Sequence, residues 1–354
     1  MTGLRGHRAA IDAFTAASTG GALHHAWLLA GPLGVGKATF ALAAALRLLA
    51  EGMTPGVLPP GLAVPDDHPA AKLMIAGSHP DLRVLRRLSK KDKEDELARS
   101  ITVDQIRSLG PFLGTMPSLS PRRVIVIDAA DDLERPGASN ALLKSLEEPP
   151  AGTVFLLVSH APGRLLPTIR SRCRLLRFDP LDDAEMAAVL ADILPEAEPD
   201  ERAALVRIGE GAPGRAIGYA GLDLGAIDAA VEAIGRDGDP MLTRRAALAR
   251  ALSPKAAQPR YEAFLDRVPA VIARMTALRV GGELRAALDA YDEARKVAAA
   301  ARSLSLDTQG TVYELAAIVA RLAPPGPTPP IPPPTIVVAP AQAGAHVCIV
   351  ERRV

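Results

Sequence analysis

GPLGVGKATF, Gly31–Phe40, is the stretch on which the reading of the fold turns. Gly31 to Lys37 satisfy the pattern GxxxxGK of a phosphate-binding loop, but the next place, where a Ser or Thr hydroxyl would ligate Mg²⁺, holds Ala38. Upstream, AWLLA (Ala26–Ala30) reads as a short buried strand, and downstream Ala38–Ala50 reads as a helix rich in Ala and Leu. A glycine-rich turn can match the pattern by chance, but strand, loop and helix in this order are the context the motif requires. In such a loop Gly31, Gly34 and Gly36 let successive backbone N–H groups face phosphate oxygens, with Lys37 beside them. Thr39 lies about 100° further around the helix and cannot replace the missing hydroxyl without a register change.

The same alternation continues through the first half of the chain and predicts an α/β domain with a parallel sheet. Leu82–Leu85 is a weak strand; VIVID (Val124–Asp128) and TVFLLVS (Thr153–Ser159) are strong ones. Between them the mixed-charge run Lys90–Glu96 reads as a solvated loop. Thr102 and Gln105 form a capping box that opens a helix, which Gly110 and Pro111 interrupt. SNALLKSLEE, starting at Ser139, has leucines at helical spacing and stops at Pro149 and Pro150.

Asp128, ending its strand, is the candidate carboxylate to support a metal, as the second nucleotide motif of such proteins requires. An acid that activates water would follow it directly, and Ala129 stands there instead. Asp131 and Asp132 read as the acidic start of a helix rather than as a displaced base. Two catalytic places are therefore blank, at Ala38 and Ala129. Arg170, Arg172 and Arg174 alternate within LLPTIRSRCRLLRF (Leu165–Phe178), which in an extended segment puts them on one side; by spacing alone they are a solvated strand edge.

Composition bounds the rest. At 354 residues, two or three domains are expected, and 48% apolar residues suffice for real cores. The 41 Lys and Arg against 40 Asp and Glu give no global pull onto nucleic acid or an anionic membrane, and no basic, aromatic strand surface offers a self-sufficient nucleic-acid site. Local backbone contacts near Thr102 or from Arg122 and Arg123 stay open beside the reading as a solvated turn. Only Cys173 and Cys348 occur, which suits a reducing cytoplasm, and neither a leader nor a membrane-spanning run is expected.

The run from HAWLLAGPLGVGK through ITVDQIR, VIVIDAAD, SNALLKSLEEPP and LLVSHAPGRLLPTIRSRC resembles the clamp-loader subunits of the AAA+ superfamily, and among them the delta-prime family of bacterial DNA polymerase III. The resemblance covers the α/β part closely and extends loosely to about Leu322. It implies an AAA+ α/β domain over 1–178, a helical lid over 179–224 and a helical collar for oligomerisation over 225–322; by composition 323–354 is a Pro-rich tail expected to be disordered. The resemblance also implies a stator: a subunit that joins the gamma/tau motor subunits and delta in a ring and helps to load the sliding clamp onto primed DNA. Such a stator is a component of the DNA-directed DNA polymerase holoenzyme with weak or absent ATPase of its own. Arg172, in SRC, is then an arginine finger offered in trans to a neighbour's ATP, and any ATP in the chain's own loop is weakly held or vestigial. The alternative is an active AAA+ ATPase, either a motor subunit or another remodeller, against which Ala38 and Ala129 count. Many relatives carry a four-cysteine zinc module where Leu49–Pro80 has none, so no zinc is expected; His68 and His79 read as loop or structural residues. In the segment GAPGRA, Arg215 is near where motor subunits place a nucleotide-sensing arginine, and Gly214 occupies the matching position.

Overall fold

In the computed structural model the described residues are 4–324, without 22, 91, 92, 278 and 305. They fall into two units that divide between Asp223 and Leu224. The larger part of the Pro-rich tail and Cys348 lie outside the described residues.

The first unit holds strands β1 (Ala26–Ala30), β2 (Leu82–Arg86), β3 (Ser89–Lys90), β4 (Lys93–Leu97), β5 (Arg123–Asp128), β6 (Thr153–Ser159) and β7 (Arg174–Arg177). Its helices are α1 (Arg8–Thr19), α2 (Lys37–Met53), α3 (Pro69–Ile75), α4 (Val103–Arg107), α5 (Leu109–Leu113), α6 (Gly137–Glu147), α7 (Pro167–Arg170), α8 (Asp183–Ile193), α9 (Pro199–Gly209) and α10 (Pro213–Tyr219). Five strands make one sheet in the order β2-β5-β6-β1-β7, every pair parallel. Parallel strands need helical crossovers, so the central strands β1, β5 and β6 are buried nearly throughout, whereas the edge strands β2 and β7 carry exposed arginines. Trp27 and Leu29 of β1 face a core with Phe14 of α1 and Phe40, Ala44 and Leu48 of α2. Ala26 and Leu28 face the opposite core, with Ile125, Phe155 and, from α6, Leu142 and Leu146. Phe14 meets the rings of Trp27 and Phe40 edge-on, with centroids 5.1 and 5.6 Å away.

Several expectations are corrected. Lys90 and Lys93–Glu96 of the charged run are strand rather than loop, since β3 and β4 pair antiparallel although Lys, Glu and Asp are poor strand formers; Lys91 and Asp92 lie outside the described residues. The helix after Thr102 does close the capping box, but it breaks at Ser108 and resumes as α5, which contains Gly110 and Pro111. Asp131 and Asp132 do not open an α-helix; they sit in a 3-10 turn, Ala130–Asp132. The arginines around SRC are not on one extended edge: Arg170 ends α7, Arg172 lies in the turn and Arg174 opens β7, because Pro167 starts a helical turn.

Leu49–Pro80 is held by local contacts. Arg47 donates to the carbonyls of Pro59 and Ala63, over a small core of Leu46, Ala50, Ala70 and Ala71. His68 caps α3 by accepting from Ala70 N–H while its Nε2 meets Thr54 Oγ1 at 2.9 Å, and His79 accepts from Asp81 N–H. Three of the four ring nitrogens are thus engaged locally, His79 Nε2 is buried without a partner, and among the described residues no group of three or more His, Cys, Asp or Glu side chains is arranged to hold a metal ion.

The second unit is a bundle of α11 (Leu224–Asp237), α12 (Thr243–Leu252), α13 (Gln258–Thr276), α14 (Gly281–Leu304) and α15 (Thr308–Ala320). Ala287, Ala290, Ala294, Ala298 and Ala301 lie buried along one stripe of α14, which lets neighbouring helices pack closely. Val231, Ile234, Phe264, Val268, Leu315 and Val319 fill the remaining core. Buried Arg267 of α13 meets Asp228 of α11 with Nε and Nη2 on its two carboxylate oxygens.

Candidate nucleotide cleft and the SRC turn

In a parallel sheet the loops that follow adjacent strands emerge at the same end, and a cleft forms there. The register places Ala30 opposite Ser159 and Arg86 opposite Asp128, so the phosphate loop, Asp128 and His160 converge at that edge. They line a cleft of about 780 Å³ with Gly34, Gly36, Lys37, Ala38, Ala129 and Asp132. Leu4, Leu181, Val189, Ile193 and Ile217 supply apolar wall.

The loop has the backbone its glycines predict. Gly34 and Gly36 adopt φ of 81° and 109°, conformations a side chain resists. Gly31 is needed for a different reason: a Cβ there would fall 2.1 Å from the Phe178 carbonyl. Lys37 opens α2 at 2% exposure, and its Nζ donates to the Gly31 carbonyl at 2.6 Å and to that of Pro32. Burial pushes this ammonium down to about 8, against the pull of Asp131 and Asp128.

The catalytic places are blank in space as well as in sequence. Ala38 and Ala129 both line the cleft without a side-chain oxygen to offer a metal or a water. Backbone and glycines fit phosphate, but the donor set does not fit a reactive magnesium centre. Asp131 is spent on structure. It accepts from Ser159 Oγ at 2.9 Å, from His160 N–H at 2.6 Å and from Ala161 N–H at 3.3 Å, pinning the end of β6. Asp132 meets Arg87 Nε at 3.0 Å, yet burial keeps its carboxyl above the ordinary value. His160 lines the cleft at the end of β6, and burial, then the Lys37 charge, push its pKa down. His160 closes the LLVSH part of the quoted run, whereas no motif marks Arg87; strand register brings both here.

Arg172 is outside this cleft. Its guanidinium donates to the Thr168 carbonyl at 2.9 Å and meets Glu147 of α6 at 2.8 Å, with side-chain exposures of 34% and 48% for the pair. The neighbouring Cys173 thiol is pushed up to about 12 by burial. Arg174 lies over the Trp27 ring at 5.1 Å. Arg215 is paired with Glu210 at 2.6 Å. Arg123 is not available to a nucleic-acid backbone: it is 2% exposed and donates to the carbonyls of Phe112 and Thr115.

A parallel sheet carrying a phosphate loop on β1, followed by three short helices and then a helical unit, is the AAA+ arrangement the resemblance implies. Residues 6–182 match the family described as DNA polymerase III, delta subunit, and the chain belongs to that family. Among curated relatives, DNA polymerase III subunit delta' of Pseudomonas aeruginosa is 40% identical over 179 residues, 51% of this chain and 49% of its own length. The subunit delta' of Escherichia coli is 34% identical over 195 residues, 55% of this chain and 54% of its own. The chain thus spans about half the length of these curated relatives. A DNA polymerase III gamma subunit-related protein of Thermotoga maritima is a solved structure of 19% identity and TM-score 0.39, with 84% of this chain and 94% of that chain covered. Among the described residues no helix is long and apolar enough to cross a membrane.

Proposed function

We propose that this chain is a clamp-loader stator of the delta-prime type. It assembles in the cytoplasm with gamma/tau motor subunits and delta, and helps to load a sliding clamp onto primed DNA. The observation that carries the reading is a formed phosphate loop whose cleft is blank at Ala38 and at Ala129. Such a loop can meet phosphates through its backbone, but it neither places Mg²⁺ nor activates water.

Arg172 supplies the chemistry that the loop lacks, across a subunit boundary. Its planar fork can meet phosphate oxygens in two hydrogen bonds and keeps its charge throughout turnover. Releasing it costs little, because an ion pair this exposed is worth about 0–1 kcal/mol. The alternative, an autonomous motor, requires a metal-ligating hydroxyl and a general base that positions 38 and 129 do not hold.

Assembly is the test. Mixed with motor subunits, delta and the clamp, the chain is expected to co-elute in one complex, and a chain that stays monomeric beside all of them contradicts the reading.

A further inference from the structure

A second cavity of the first unit, of about 900 Å³, backs onto the phosphate loop beside the edge strand β7. Leu176 turns into the core that α2 covers, so by strand alternation Leu175 and Arg177 turn to the other face. Leu28 and Ala30 of β1 stand opposite them in the register and line the same cavity. We infer that this cavity binds a phosphate monoester with an apolar body, gripped by Arg170 and Arg177.

The cations here are unspent. Arg172 is taken by Glu147 and Arg174 lies on the Trp27 ring, whereas Arg170 and Arg177 form no ion pair among the described residues. Asp179 is the only acid in the lining. Two guanidiniums against one carboxylate leave the cavity positive, an imbalance that an anion corrects. Ser171 Oγ donates to the Thr168 carbonyl at 3.1 Å, which leaves its lone pairs to accept from a ligand. His160 lines this cavity as well as the nucleotide cleft, and its Nδ1 is buried without a partner.

The ligand class follows from these groups. A phosphate monoester carries about 1.5 to 2 negative charges at pH 7 and three acceptor oxygens, enough for both planar forks at once. A carboxylate has one charge and two oxygens, which satisfy one fork. Leu28, Leu175 and the prolines 32, 162, 167 and 180 supply apolar lining that inorganic phosphate would leave uncovered. Asp179 opposes a second anionic group and suits an N–H or O–H donor on the ligand's body. Arg170 and Ser171 belong to the turn that carries Arg172, so an occupant of the cavity holds that turn. Only this last consequence rests on the clamp-loader reading; binding stands without it.

Isothermal titration of the purified full chain with phenyl phosphate tests the site, and with no other subunit present the outcome is independent of assembly. Phenyl phosphate is expected to bind with Kd below about 1 mM, and inorganic phosphate and benzoate at least about tenfold more weakly. Arg170→Ala and Arg177→Ala remove exposed side chains, and each should weaken phenyl phosphate by about tenfold. Arg164→Ala, at an exposed arginine outside the cavity, is the charge control and should change affinity by less than about twofold. Absence of saturable binding, an equal loss in Arg164→Ala, or full affinity in both cavity variants would overturn the site. Inorganic phosphate binding as tightly as phenyl phosphate would overturn the ester assignment.

Discussion

The phosphate loop and the SRC turn are two cationic places of one domain, and they are held in opposite ways. Lys37 is buried, and its ammonium is spent on carbonyls of its own loop. Arg172 is a third exposed and held by one carbonyl and one exposed carboxylate. Moving Lys37 means leaving two carbonyls without their donor in a site little exposed to water, whereas moving Arg172 breaks contacts that water replaces at small cost. The difference teaches which cation is free to act on a partner.

The largest expected effect concerns the buried cation. Its pKa, about 8 in the folded chain, lies below the unfolded value of 10.5, so the unfolded state binds more protons between those limits. The contribution is fully present above pH 10.5 and is lost as pH falls through about 8. Urea titrations should therefore find the wild-type chain gaining about 3 kcal/mol over Lys37→Met from below pH 8 to pH 10.5. A flat difference would mean that Lys37 is solvated and that the contrast with Arg172 fails.

Restoring a metal ligand attacks the same contrast from the loop side. Ala38→Thr should make nucleotide binding depend on Mg²⁺ by about tenfold, read by fluorescence titration with and without chelator. It should still give no turnover, because Ala129 lines the cleft without a basic group where a base would stand. Appreciable hydrolysis by Ala38→Thr alone would show that another residue activates water.

The smallest effect belongs to the exposed pair. Glu147→Gln should lower stability by under about 1 kcal/mol, since both partners are well solvated. A loss of several kcal/mol would make Arg172 a structural residue, tied down too firmly to serve a neighbour.

Much of the first unit was legible because its strands and loop obey local rules. Ala26–Ala30 and Thr153–Ser159 coincide with β1 and β6, since apolar runs of that length have no other stable home than a covered parallel sheet. The loop was legible because φ above zero demands glycine. What stayed hidden depends on residues far apart in sequence. Asp131 reads as a helix start until β6 arrives 28 residues later to use its carboxylate. Glu147 is one acid of a helix end until Arg172 folds back on it. The approach of Gly34 and Gly214 joins positions 180 residues apart, and no local pattern announces it.

The contrast between the two cations is tested most directly by measuring clamp- and DNA-stimulated ATP hydrolysis in the reconstituted complex, carrying either Lys37→Met or Arg172→Ala in this chain. The account predicts that Lys37→Met leaves the rate unchanged, whereas Arg172→Ala slows the one active site it serves by roughly a thousandfold without dispersing the complex. Arg174→Ala, whose side chain lies on Trp27, should have the milder effect. An Arg172→Ala complex that hydrolyses ATP at the unmodified rate, or a Lys37→Met complex that loses it, would contradict the account.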